Sequence, residues 1–429
     1  MNLDLEKEEK PIKTKFYYGW VILFMSALAF FFSGPGQTHS ISIFIDHYIK
    51  EFGWSRSLVS SLYSGGTLIS GLILTFMGQK IDKYGHRKMI VIISLSLGAA
   101  ALWMSFVFNP LMLLIGFFLM RFFGQGSMGL WPQTLVPHWF KAKRGLAMSL
   151  LGIGGVVGAA VIPPLNNYLI NLVGVSNTWR FWTLALLLIM APAGWFFVRN
   201  KPENIGLKID GINQEEEDSV SNKYAPRVHI SNDPWTLKEA MQTKEFWLII
   251  YLVSIPSMIN TGIIFHMVSI IGEKGFSAGF AAYILSITSM INFPLTFLGG
   301  YILDRVKVRL VKVANFLLLI TAIFLIIKAD TKSAFIIYAL VHGSFMAFDG
   351  VSTSVMLPNY FGKEHLGSIR GFFTTAMVIG SALGPLPFGL AYDYFNGYTE
   401  VMILVMILPI LALGASYLAT PPQYEKENK

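Results

Sequence analysis

Apolar runs of about twenty residues recur along almost the whole chain, and this repetition restricts the fold more than any other feature. A helix rises 1.5 Å per residue, so about 20 apolar residues cross a hydrocarbon core about 30 Å thick. Segments of this kind lie near 17–46, 56–78, 88–108, 110–138, 144–171, 179–198, 245–272, 279–303, 310–328, 333–358, 368–394 and 398–418. Several exceed one bilayer thickness and are expected to tilt or protrude. Composition agrees: 54% of the 429 residues are hydrophobic and 14% charged, with a mean hydropathy of +0.55. A water-soluble fold would lack the polar side chains to cover its surface. An all-α membrane protein of twelve transmembrane helices is therefore expected, with the lipid bilayer as its partner.

The long polar stretch, 199–244, contains Glu215, Glu216, Glu217 and Asp218 and is expected to link two sets of six spans, 17–198 and 245–418. Tails of 1–16 and 419–429 complete the chain. The charged start and the lack of a small-residue cleavage site predict an uncleaved first span. The net charge of +8 does not point to nucleic acid, because the bases are distributed by side. With the N-terminus inside, 26 of the 33 Lys and Arg residues fall on cytoplasmic segments, 6 fall outside and Arg121 lies within a span. The positive-inside rule then predicts cytoplasmic termini and a cytoplasmic linker, as in a multi-pass protein of the cell membrane. The chain has no cysteine, which excludes a disulfide framework and thiolate metal sites.

The two sets repeat one another. Gly78, Asp82 and Arg87 follow span two, and Gly300, Asp304 and Arg309 follow span eight at a constant offset of 222. Pro137, His138, Trp139 and Phe140 parallel Pro358, Asn359, Tyr360 and Phe361 at 221, and Arg144, Gly145, Gly154 and Gly158 parallel Arg370, Gly371, Gly380 and Gly384 at 226. Duplicated helix sets suit a carrier that rocks about a midplane cavity.

The loop Gly78, Gln79, Lys80, Ile81, Asp82, Lys83, Tyr84, Gly85, His86, Arg87, Lys88 resembles the signature between helices two and three of the major facilitator superfamily. That resemblance implies two pseudo-symmetric six-helix bundles and transport by alternating access. An acid at a helix end among bases can latch neighbouring helix ends and release them on rocking, which gives Gly78, Asp82, Arg87, Gly300, Asp304 and Arg309 a role as conformational latch. Within the superfamily, three blocks resemble the monocarboxylate transporter and oxalate/formate antiporter group: Tyr17, Tyr18, Gly19, Trp20; Phe52, Gly53, Trp54, Ser55, Arg56, Ser57; and Trp139, Phe140, Lys141, Ala142, Lys143, Arg144, Gly145, Leu146, Ala147. The likeness implies movement of a small organic acid coupled to protons or a counter-anion. Unlike that group, span eight offers Tyr283, Ser286, Thr288, Ser289 and Asn292 with no base before Arg305, and span eleven has none after Arg370. Dicarboxylate exchange is not expected.

Arg121 is read as the one base inside a span, and a charge there marks a functional site by default. It stands in Arg121, Phe122, Phe123, Gly124, Gln125, Gly126, which resembles a helix-four motif of the superfamily with one extra residue between Arg and Gln. Asp349 in span ten is either a proton carrier or a neutral or paired acid near the cytoplasmic side, while Asp46 is read as a solvated helix end. His39, His266 and His342 lie in spans one, seven and ten, and His342 stands 221 residues after Arg121. Histidine takes a proton near neutrality or donates to a carboxylate, so His39, His266 and His342 join Arg121 as substrate-binding candidates, and His266 and His342 join Asp349 as proton-coupling candidates, although a lone membrane histidine is more often a packing residue. Gln37, Gln125, Asn260 and Asn292 could hydrogen-bond a ligand or serve as glue between helices. The glycines 152, 154, 155 and 158 lack a preceding strand and are read as a close helix contact rather than a dinucleotide loop. No catalytic triad, metal-ligand spacing or P-loop is present, so a gradient-driven monomeric carrier without cofactor is expected, not an enzyme. The alternatives are an exporter of larger amphipathic or drug-like compounds and a membrane sensor on the same scaffold.

Overall fold

The structure is a computed structural model, and it describes residues 16–141, 143–211, 235–303, 305–362 and 365–422. Every regular element among the described residues is helical. In chain order these are α1 (Gly19–Phe32), α2 (Thr38–Phe52), α3 (Arg56–Tyr84), α4 (His86–Met104), α5 (Pro110–Leu119), α6 (Gly129–Trp139), α7 (Arg144–Ala185), α8 (Ala191–Phe197), α9 (Leu237–Ala240), α10 (Lys244–Glu273), α11 (Ala278–Leu303), α12 (Val308–Lys328), α13 (Lys332–Phe361), α14 (Leu366–Leu383), α15 (Pro385–Phe395) and α16 (Thr399–Leu418). A 3-10 turn, Gly34–Gly36, joins α1 to α2, and π-helical segments, Met120–Met128 and Leu186–Met190, join α5 to α6 and α7 to α8.

Eleven helical runs among the described residues are long and apolar enough to cross a membrane. One of them, Leu146–Phe197, has 52 residues and breaks at Gly174, where φ is +83°, so it makes two passes. Only glycine adopts that backbone without strain. The twelve expected spans are thus present, the first extended to Phe52. Side chains at several helix starts take up orphan N–H groups: Asn109 accepts from Met112, Thr243 from Phe246 and Thr331 from Ala334. Large apolar side chains such as Phe24, Phe76, Leu188, Phe196 and Leu404 stand exposed on the helices, a surface suited to lipid rather than water. The stretch expected as a linker carries 3-10 turns at Glu203–Ile205 and Ile209–Gly211 and the capped helix α9; its acidic run 215–218 lies outside the described residues.

The chain divides into two compact units, 1–40 with 72–225 and 41–71 with 226–429. In the first, α1 packs along α7, and α4 along α7 and α8. Gly154 and Gly158 bring α7 against the backbone of Ala27 and Phe31, where a Cβ on Gly158 would stand 3.3 Å from the Phe31 carbonyl oxygen. In the second, α13 packs on α11 and α12, and α10 on α14. Gly380 and Gly384 bring α14 against Ser254 and Met258, and a Cβ on Gly380 would meet the Ser254 carbonyl oxygen at 2.6 Å. The matched glycines of the repeat therefore perform the same close packing in each unit.

In the second unit the start of α3 is held from far along the sequence. Asp393 accepts the backbone N–H groups of Arg56 and Ser57 at 3.1 and 2.8 Å, placing a carboxylate on the positive end of the helix. The buried Arg56 guanidinium pairs with Asp46 at 2.7 Å and lies 4.5 Å from the centre of the Tyr392 ring. Asp46 is consequently an ion-pair partner, not a solvated helix end. Arg56 lies at a span end, where sequence alone suggests solvation, and its burial arises from tertiary packing.

Candidate substrate and coupling sites

In the first unit the polar residues expected on spans one and four come together. Gly36 and Gly124 touch backbone to backbone: a Cβ on Gly124 would lie 2.8 Å from the Gly36 Cα. This contact sets Arg121, 4% exposed, beside the start of α2, where its Nη1 donates to Thr38 Oγ1 at 3.2 Å. The Arg121 charge also bears on His39. Gln37 donates through Nε2 to Ser33 Oγ at 3.2 Å, and Gln125 Oε1 is buried with no hydrogen-bond partner among the described residues. The extra residue between Arg121 and Gln125 falls within the π-helical segment, whose wider turn keeps positions four apart near one face. Ser127 reinforces it by donating to the Phe122 carbonyl, five residues back, at 2.7 Å. A buried chain from Trp182 Nε1 to Asn166 Oδ1 at 2.7 Å, and from Asn166 Nδ2 to Ser40 Oγ at 2.8 Å, ties the first turn of α2 to α7.

The candidates of the second unit separate into distinct environments. His266 is fully engaged: Nε2 lies 3.0 Å from the Pro385 carbonyl and 3.3 Å from Ser60 Oγ, and Nδ1 lies 3.2 Å from the Tyr398 hydroxyl. A neutral ring satisfies this with Nε2–H donating to the carbonyl and Nδ1 accepting from tyrosine. His342 is buried between Tyr338 and Phe345, with Nδ1 3.1 Å from the Tyr338 hydroxyl. Its Nε2 and the Oδ1 of Asn260 are buried without a hydrogen-bond partner among the described residues. Asn292 is occupied within its own helix, its Oδ1 accepting from Thr296 at 3.1 Å. Asp349 pairs with Lys312 at 2.7 Å and accepts from Asn315 at 3.2 Å.

Lys312 corrects one expectation. It lies inside α12 and is fully buried, so Arg121 is not the one base within a span. It stands near the beginning of the span, where sequence alone groups it with the loop bases. The repeat carried the missed signal: the position matched to Lys312 at an offset of 222 is Ile90, an apolar residue opposite a charged one.

Of the latch positions, Arg87 is anchored to the end of span six. Its backbone N–H donates to Asn200 Oδ1 at 2.9 Å, its Nε to the Trp195 carbonyl at 2.8 Å, and its guanidinium lies over the Trp195 ring. The turn before it rests on Gly85, at φ +80°. Asp82 is exposed and borders, with Arg87, a polar cavity of about 460 Å³. Gly78 lies near Leu130. A Cβ on Gly300 would face open space, Arg309 lies over the Tyr417 ring, and Asp304 lies outside the described residues.

The Major Facilitator Superfamily profile matches residues 19–341. The probable sulfoacetate transporter of Cupriavidus necator is 21% identical over 393 residues, 86% of each chain. The glucose transporter of Staphylococcus epidermidis is 24% identical over 387 residues, 83% of each chain. A solved bacterial homologue of the human lysosomal transporter Spinster superimposes with a TM-score of 0.74 at 14% identity, covering 95% of this chain and 98% of that one. Helical architecture, sequence repeat and profile agree, and the chain belongs to the Major Facilitator Superfamily.

Proposed function

We propose that this protein is a secondary carrier for a small organic anion bearing a carboxylate, with six-helix bundles at 17–198 and 245–418 that rock about a central site. The observation that carries the reading is Arg121, buried in a membrane helix, donating to Thr38 and close enough for its charge to bear on His39. An anion entering a low-dielectric space needs a compensating charge, and a guanidinium offers a carboxylate two parallel donors. Gln125, one turn along the same helix, and His39 are further candidates to hydrogen-bond the solute. Likeness to the monocarboxylate group, and a relative named as a sulfoacetate carrier, support an acidic solute. With Lys312 counted inside its span, the bias of 25 bases to 6 supports a cell-membrane protein with both termini and the linker in the cytoplasm.

Equilibrium binding of labelled acetate, lactate and sulfoacetate to the purified protein tests the assignment. Arg121→Gln and Arg121→Lys should each weaken binding at least about tenfold, since a charge-assisted hydrogen bond contributes about 1.5–3 kcal/mol and lysine cannot reproduce the planar pair. Parental affinity in both variants, with folding verified by thermal melting, would remove Arg121 from the site.

A further inference from the structure

Span one does not run as a single helix. It leaves α1 after Phe32, passes through the 3-10 turn Gly34–Gly36 and the extended Gln37 (φ −81°, ψ 151°), and resumes as α2 at Thr38. Helical hydrogen bonds therefore do not carry the direction of α1 into α2, and side contacts must set where the first turn of α2 lies. Helix α7 supplies them. A Cβ on Gly34 would collide with Ile162, and one turn along α7 from Ile162 stands Asn166. Asn166 joins Trp182, on the second pass of α7, to Ser40, and all three are buried. Ser40 is also the last residue of α2 grouped with the first unit.

The chemistry of this chain fixes its direction. An indole N–H can only donate, so Asn166 turns Oδ1 to Trp182 Nε1 at 2.7 Å and is left with Nδ2 facing Ser40 Oγ at 2.8 Å. A flipped amide would set two donors face to face. Polar side chains often join membrane helices, but the two passes of α7 are already joined by Trp182 and Asn166. The extension to Ser40 reaches the turn that carries Thr38. In the second half the matched positions are Gly262, at an offset of 222 from Ser40, and Tyr392, at 226 from Asn166. Glycine has no side chain to bond and Tyr392 lies against the Arg56 guanidinium, so these positions form no such chain. It belongs to the half that holds Arg121.

We propose that Asn166 is a positioning residue of the anion site, an inference that rests on the anion-carrier reading. Oriented by Trp182, Asn166 holds Ser40, and Ser40 fixes the first turn of α2. Thr38, two residues earlier in that turn, accepts from Arg121 Nη1 at 3.2 Å and so sets the plane of the guanidinium. Two parallel bonds to a carboxylate depend on that plane as well as on distance. The bond to Thr38 is already at the long end of the range, so a small drift of the turn releases Arg121 from it.

The triple substitution Ser40→Ala, Asn166→Leu and Trp182→Phe makes the chain apolar without leaving an orphaned partner, an exchange that can be nearly neutral for stability. Equilibrium binding to the purified proteins uses whichever of labelled acetate, lactate or sulfoacetate the parent binds. The variant should melt as the parent does yet bind at least about fivefold more weakly, as loss of one hydrogen bond would give. Parental affinity in the folded variant overturns the proposal, because an apolar chain would then serve as well. If the variant melts early, Ser40→Ala alone takes its place under the same criterion. The substitution is also made in Arg121→Gln protein. Positioning acts through Arg121, so little further affinity should be lost there, whereas a further loss as large as in the parent overturns the proposal. Binding of no anion by the parent, or parental affinity in folded Arg121→Gln, overturns the anion-carrier reading instead.

Discussion

Gly124→Ala tests whether backbone contact is what positions Arg121. An added Cβ would stand 2.8 Å from the Gly36 Cα, 3.2 Å from the Gly36 nitrogen and 3.3 Å from Leu97 Cδ1. Carbon atoms in contact settle at about 3.5–4.0 Å, so the overlap with the Gly36 Cα is about 1 Å. Leu97 can rotate away, but the Gly36 backbone cannot, and the two segments must separate by a similar distance. Overpacking of this kind costs about 1–3 kcal/mol, a fall of about 5- to 150-fold in the ratio of folded to unfolded protein. Arg121 sits one turn before Gly124 and Thr38 two residues after Gly36, so separation also stretches the 3.2 Å bond between them beyond hydrogen-bonding range. Thermal melting and solute binding by the purified variant measure the two effects. Gly152→Ala is the control, because a Cβ there meets nothing within 4 Å and alanine favours the helix. Parental melting and affinity in Gly124→Ala, or equal damage in Gly152→Ala, would refute the reasoning.

Two further outcomes follow from the latch and the charge distribution. If Asp82, which borders the helix-end cavity, is part of a latch, Asp82→Asn should slow turnover more than it weakens solute binding, because a latch sets the balance between access states; an unchanged transport rate in folded protein counts against this. Tags at position 215 and at both termini should be protected from membrane-impermeant reagents in intact cells, and external labelling of the linker contradicts the orientation.

The fold was legible because its main determinant is local: an apolar run of spanning length is a helix in lipid whatever its neighbours. The repeat added the close packing, since Gly154 with Gly158 and Gly380 with Gly384 meet α1 and α10 in the same manner. Arg121 could be singled out for the same local reason, a base far inside an apolar stretch. Arg56 and Lys312 could not, because each lies near the end of its helix, where only the packing of other helices decides between solvent and burial. The role of Asp393 at the start of α3 joins positions 336 and 337 residues apart and has no sequence pattern to announce it. The shifted spacing of Arg121 and Gln125 was visible as an anomaly, and its cause, a π-helical turn, required the backbone.

The most direct test of the central claim is uptake of labelled acetate, lactate and sulfoacetate, with glucose as the neutral comparison, into proteoliposomes of the purified protein under an imposed pH gradient. The account predicts accumulation of at least one of the anions, abolished by Arg121→Gln and by collapse of the gradient, with no accumulation of glucose. Uptake of glucose in preference to every anion, or anion uptake indifferent to both the gradient and Arg121, would contradict it.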